Sequence, residues 1–326
     1  MKANTLGLII FLSATIVAVS CDIDNESPWP EKAVYEGLDD LHLYNVITKV
    51  TTMITNSPDT LELYYSFSPD SKKILFMDGS GINEMNSDGS NKHLIAGGSN
   101  PCYSPDGSKI AFTDDKKLFS INTNGTNKTQ ICNTNIGLWY PVWSRDGNNI
   151  ACSSDSGLCI VDLDGNLKVC HVDNSDEGYE WSYDSKDVFY ARYISHFATI
   201  CRYNIVQARE SQITFTNLFY FDPKCNPIKN EILFTQFYPD YGVSLVISDQ
   251  DGTNQQVILH KDLILTPCWS PMGDKIAFIT EDNNLAVIDR NGKNYKIINV
   301  IPGACVEPKW SNDGNYILYS RVLFLV

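Results

Sequence analysis

Trp269-Ser270-Pro271-Met272-Gly273-Asp274-Lys275-Ile276-Ala277-Phe278 and Tyr103-Ser104-Pro105-Asp106-Gly107-Ser108-Lys109-Ile110-Ala111-Phe112 are two copies of one pattern. Each has an aromatic residue, a Ser-Pro-x-Gly turn, and a strand whose apolar residues alternate. The turn recurs at Ser68, Ser104, Ser144, Ser182, Ser270 and Ser311, with a degenerate copy at Asn226-Pro227-Ile228-Lys229. The starts are 36, 40, 38, 44, 44 and 41 residues apart, which is the period of a four-stranded propeller blade.

Registered on the first turn residue, the copies expose a packing rule. One position before it stand Phe67, Tyr103, Trp143, Trp181, Cys225, Trp269 and Trp310. Six positions after it stand Ile74, Ile110, Ile150, Val188, Ile232, Ile276 and Ile317; eight after it, Phe76, Phe112, Cys152, Tyr190, Phe234, Phe278 and Tyr319. Side chains alternate along a strand, so the last two sets share one face and are expected to stack between neighbouring sheets. A second hairpin follows in most copies, at Asp88-Gly89, Asn124-Gly125, Asp164-Gly165, Asp251-Gly252 and Asn291-Gly292, pairs that tolerate positive φ.

The Trp-Ser-Pro-Asp-Gly turn followed by Lys-Ile-Ala-Phe resembles the repeats of TolB-like propellers, and the resemblance spans about 60 to 320. It implies an all-β fold, a seven-bladed propeller of four-stranded antiparallel blades; six blades, with one degenerate copy as cap or linker, is the alternative. After Tyr319 the chain has room for one short strand, Arg321 to Val326, so Leu43–Ile47 and Lys49–Ile54 are expected to complete the last blade. Chain ends sharing a blade would close the ring. A leader, a tether and one or two strands stand where TolB carries an α/β domain, so TolB's envelope-tethering role is not carried over. The resemblance implies a channel mouth that receives a peptide or protein, and transfers no catalytic residues.

Residues 1–20 read as a lipoprotein signal peptide: Lys2, the apolar run Leu6 to Leu12, then small residues. Ala18-Val19-Ser20-Cys21 resembles the bacterial lipobox, with Cys21 as the lipid attachment site and Ala18 where that motif usually has Leu. An acidic tether, 21–40, then joins lipid to a propeller at 41–326. The expected location is the outer membrane, facing the periplasm or the cell surface, with membrane contact through the lipid on Cys21 alone.

The chain carries 25 Lys plus Arg against 39 Asp plus Glu, a net charge of −14, which opposes binding to nucleic acid. His42, His93, His171, His196 and His260 show no ligand spacing, so no metal and no cofactor is expected. Asp162-Leu163-Asp164-Gly165 and Asp249-Gln250-Asp251-Gly252 look like calcium loops but lack the downstream Glu; hairpin turns explain them. Of ten cysteines, Cys102, Cys152 and Cys268 occupy core slots, while Cys159 and Cys170 flank Asp164-Gly165 symmetrically; a disulfide there depends on the turn register.

No nucleophile elbow, zincin motif or phosphate loop is present. The expected function is therefore a non-catalytic, monomeric envelope lipoprotein whose propeller binds a protein or peptide, or a glycan. A polysaccharide lyase or hydrolase using channel carboxylates, and a structural envelope component, are the alternatives. The candidate channel-mouth residues are Asn100, Tyr140, Tyr179, Glu180 and Glu307, just before the turns; Tyr140 and Tyr179 could equally pack between blades.

Overall fold

The computed structural model describes residues 7–12, 15–20, 39–57, 60–170, 178–194, 197–216, 218–239, 241–298 and 304–322. Cys21, most of the tether, His171 and His196 lie outside them. Gly7–Leu12 and Thr15–Ser20 pair as a separate two-stranded sheet. All other described strands fall into four-stranded antiparallel units, which we number in chain order. Units 1 to 6 span 63–96, 99–130, 138–170, 180–212, 219–261 and 264–297; unit 7 joins 304–322 to 39–53. Units 4 and 5 merge into one sheet through a parallel contact between Ala198 and Phe219.

In unit 7 the order is Ala304–Trp310, Tyr316–Val322, Asp39–Asn45, Thr51–Met53, so the N-terminal strands supply its outer half. This is the shared-blade closure expected from the short C-terminal copy. The seam to unit 1 is hydrogen-bonded: Asn312 Nδ2 donates to Ser68 O at 3.1 Å and the Asp313 amide to Ser71 Oγ at 3.2 Å.

The repeat's apolar columns fill the spaces between units. All fourteen side chains six and eight places after the turn start are fully buried. Period-two alternation distributes them: Val188 and Tyr190 pack against Ala151, Leu158 and Ile160 of unit 3, while Phe189 and Ala191 on the same strand pack with Tyr220, Ile232 and Phe234 of unit 5. Tryptophans before the turn add polar ties between units. Trp181 Nε1 donates to Val142 O at 2.9 Å and Trp269 Nε1 to Lys224 O at 3.0 Å. Cys152 replaces an aromatic inside one such layer, and Cys159 and Cys170 stand opposite each other in register.

The Ser-x-Asp turns are built around charge. In units 1, 2, 3, 4 and 7 the serine hydroxyl donates to the aspartate at 2.6–2.8 Å, and accepts a backbone N–H from five residues on at 2.9–3.0 Å. Unit 6 has Met272 in the aspartate's place, and Asp274 takes the Ser270 hydroxyl instead, at 2.8 Å. The serine bond at Asp106, joined by the Ser108 amide and hydroxyl, holds that carboxyl below its ordinary range. At Asp146 and Asp313 burial works the other way and the hydrogen bonds outweigh it.

A folded-state pKa below the unfolded value gives stability that is full above about pH 4 and is lost as pH falls through the folded value. Thermal midpoints should therefore stay level from pH 7 to about 5 and drop below about pH 4. Asp106→Asn should make that drop shallower; an unchanged acid limb would show that the turn carboxylates do not drive it.

Candidate functional site

In each unit the strand leading into the Ser-Pro turn is the innermost, and it is bent. Its pairing with the next strand shifts register in units 1, 2, 3, 5, 6 and 7. Four places before the turn start in those same six units stand Tyr64, Asn100, Tyr140, Asp222, Thr266 and Glu307. All have left-handed backbone, with φ from 45° to 53°. Unit 4 has Gly178 at that place. Non-glycine residues there are strained, and a β-branched threonine most of all. The bulge turns these residues relative to the strand and re-aims their side chains.

Tyr64 and Tyr140 show where they are aimed. Their rings lie 5.8 Å apart although units 1 and 3 are not neighbours, so they meet inside the ring across unit 2. Asn100, between them, is buried, and its Oδ1 accepts the Thr113 hydroxyl at 3.0 Å. Glu307 is half-buried, and its carbonyl accepts the Tyr65 hydroxyl. Tyr179 is elsewhere: it is 4% exposed in the layer between units 3 and 4, its ring 5.8 Å from Tyr190. It is a core residue: it stands three places before the turn, where Tyr65, Pro101, Pro141, Pro223, Pro267 and Pro308 of the other units are buried as well.

Two places nearer the turn, the side chains line a cavity of about 340 Å³ that opens at the turn end. Ser66, Glu180, Lys224, Cys268 and Lys309 come from units 1, 4, 5, 6 and 7, and Arg145 of unit 3 and Asn312 of unit 7 stand beside them in the turns. A space walled by six of the seven units is the axial channel. Arg145 and Glu180 pair at 3.5 Å. Burial alone would lower the Lys224 ammonium, but the carboxylates of Glu180, Asp222 and Glu307 outweigh it and hold its pKa above the ordinary lysine value. Burial pushes the Cys268 thiol up to about 12 against the opposing pull of Lys309 and Lys224, so it is a neutral thiol and not a nucleophile.

At the other mouth, beside Asp222, the central hairpins of units 4 and 5 are built from eight-residue strands where units 1 to 3 have six. The extension carries Tyr193 and Phe237, and the start of the inner strand of unit 5 adds Phe219 and Phe221. Tyr193 lies 6.2 Å from Phe221, and Phe219 lies 6.0 Å from Phe221 and 6.2 Å from Phe237. All four are half-buried, and Phe215 and Tyr241 nearby in the chain are 76% and 74% exposed.

Of the residues expected at the mouth from sequence, Glu180 lines the turn-side cavity, while Asn100, Tyr140 and Glu307 stand two places further from the turn, at the left-handed positions of their inner strands. Lys224, Lys309, Asp222 and Tyr64 were not expected. Their signal was present in the columns two and four places before the turn, which vary in chemistry while their neighbours stay apolar. His42, His93 and His260 lie on outer strands of units 7, 1 and 5. Among the described residues no three His, Cys, Asp or Glu side chains are grouped as metal ligands.

No protein-family model matches the sequence. Solved structures do match. A protein assigned as TolB from Agrobacterium tumefaciens superposes with a TM-score of 0.59 at 17% identity, over 89% of this chain and 100% of that one. An oligogalacturonate lyase in complex with manganese superposes with a TM-score of 0.55 at 14% identity, over 78% of this chain and 77% of that one. At such identities the likeness speaks to architecture, and with the strand pairing it shows that the chain has the TolB-like β-propeller fold.

Proposed function

We propose that the protein is an envelope lipoprotein, exported through residues 1–20 and anchored by lipid on Cys21, whose propeller binds a protein or peptide segment at the mouth away from the Ser-Pro turns. The observation that carries this reading is the strained ring. Six inner strands hold a non-glycine residue in left-handed backbone at the same place, at about 1–3 kcal/mol each, and thereby turn Tyr64, Tyr140, Asp222 and Glu307 toward the axis. Carboxylates beside the aromatic lip of Tyr193, Phe219, Phe221 and Phe237 suit a segment that alternates basic and apolar residues. A glycan is the competing occupant of the same mouth.

Photo-cross-linking on intact cells tests it. Reactive groups at positions 140 and 219 should trap the same partner, and one at Leu94, exposed on an outer strand, should not. Tyr140→Ala together with Phe219→Ala should reduce trapping at least tenfold, roughly 1.4 kcal/mol. Equal trapping at all three positions would overturn the reading. Cleavage of a polysaccharide by the purified protein, lost in Glu307→Gln, would replace it with catalysis.

A further inference from the structure

The turn-side end of the channel has a chemistry of its own. Lys224 and Lys309 are half-buried, and among the described residues neither ammonium has an ion pair or a hydrogen bond. They flank Cys268 from units 5 and 7, and Arg145 stands at the rim. Glu180 is the one carboxylate in the lining, and Arg145 already engages it. Nearby carboxylates offset the loss of hydration at Lys224, but among the described residues neither ammonium has a direct acceptor in the fold, so both are left with donors to offer a ligand. In a chain of net charge −14, their gathering in one cavity is not a property of the general surface.

We propose that this cavity binds a carboxylate group borne by a small polar molecule, held between Lys224 and Lys309 with Arg145 at the rim. Size sets the first limit: about 340 Å³ is at the lower end of small-ligand pockets. Charge sets the second. Three cations face one lining carboxylate, and Asp222 and Glu307 act on Lys224 from the next layer of the channel. The lining alone has an excess of two positive charges, and with Asp222 and Glu307 counted the cations and carboxylates are equal, so a singly charged group fits better than a phosphate dianion. Trp269, Trp310 and Pro271 supply apolar wall for the rest of the ligand. The site is separate from the mouth proposed for the partner segment and goes beyond that reading.

Titration calorimetry on the full chain provides the test, with galacturonate and N-acetylalanine as carboxylate probes, their methyl esters, and inorganic phosphate. At least one acid should bind, with its ester and phosphate at least tenfold weaker. Preference for galacturonate assigns the carboxylate to a sugar acid, and preference for N-acetylalanine to an amino acid or peptide terminus. Lys224→Met and Lys309→Met should each weaken the acid at least tenfold and leave the ester unchanged. The acid–ester comparison on the unaltered chain holds even if a variant fails to fold. Equal binding of acid and ester, undiminished acid binding by a folded Lys309→Met, or no binding of either acid at about 10 mM would overturn the proposal. Tyr140→Ala with Phe219→Ala should keep the carboxylate binding, so loss of the partner at one mouth and loss of the anion at the other are read separately.

Discussion

Gly252→Ala should destabilise the protein by about 3–5 kcal/mol, whereas Gly125→Ala, at the same place in another unit, should cost about 1–2 kcal/mol. Both glycines have positive φ, 83° and 77°, in the second hairpin of their units. Left-handed backbone alone therefore penalises both variants similarly. The difference lies in what the new methyl would meet. At Gly252 a Cβ would sit 2.1 Å from the carbonyl oxygen of Ile213, just past the outer strand of unit 4; at Gly125 the nearest atom, Ile95 O, is 3.5 Å away. Backbone oxygen cannot swing aside, so relief requires the two units to separate. Gly89 against Ile54 and Gly165 against Ile131 repeat the close approach, at 2.4 and 2.3 Å. Urea or thermal unfolding of the two variants decides the matter. Gly252→Ala should melt roughly 10 °C below the parent, and equal losses at both sites would show that φ strain alone matters.

That contact marks the boundary of what the repeat discloses. Asp-Gly and Asn-Gly pairs announce hairpins because tight turns need positive φ. The same letters also let one unit lie on the next, and this is invisible in a single copy. The fold itself was legible because the Ile and Phe columns after each turn must be buried between sheets whatever the rest of the chain does, and all fourteen are. The channel was less so. Proximity to the turn points to Tyr140, Glu180 and Glu307 and equally to Tyr179, whose other reading, packing between blades, is the one its burial fits. In six units a bulge re-aims the residue four places before the turn, whereas Tyr179 stands one place nearer the turn, where every unit has a buried residue. A lysine on a strand is ordinarily solvated, so Lys224 and Lys309 do not stand out until closure of the ring brings them to one cavity.

Tyr65→Phe should lower stability by about 2–4 kcal/mol, a large loss for one oxygen atom, and the loss should be concentrated at the seam between units 1 and 7. The Tyr65 ring is buried. Its hydroxyl lies 2.8 Å from Val306 O and 2.9 Å from Glu307 O as donor, and accepts the Ser320 amide at 2.9 Å. These are the backbone groups beside the register shift between Val306 and Lys309, where the inner ladder of unit 7 is interrupted. The tyrosine thus satisfies polar groups that the bulge itself displaces, and it does so from the neighbouring unit. Phenylalanine keeps the packing and leaves the buried amide and carbonyls without that partner, each worth about 1–3 kcal/mol. Because unit 7 is assembled from both chain ends, weakening this seam frees the element that closes the ring. Hydrogen exchange should accelerate at Ser320 and along Asp39–Asn45 in Tyr65→Phe while unit 3 stays protected. Tyr183→Phe, at an exposed turn position, should change neither stability nor exchange. Uniform loss of protection across all units would instead mean that the ring opens only by global unfolding, and that the seam has no weakness of its own.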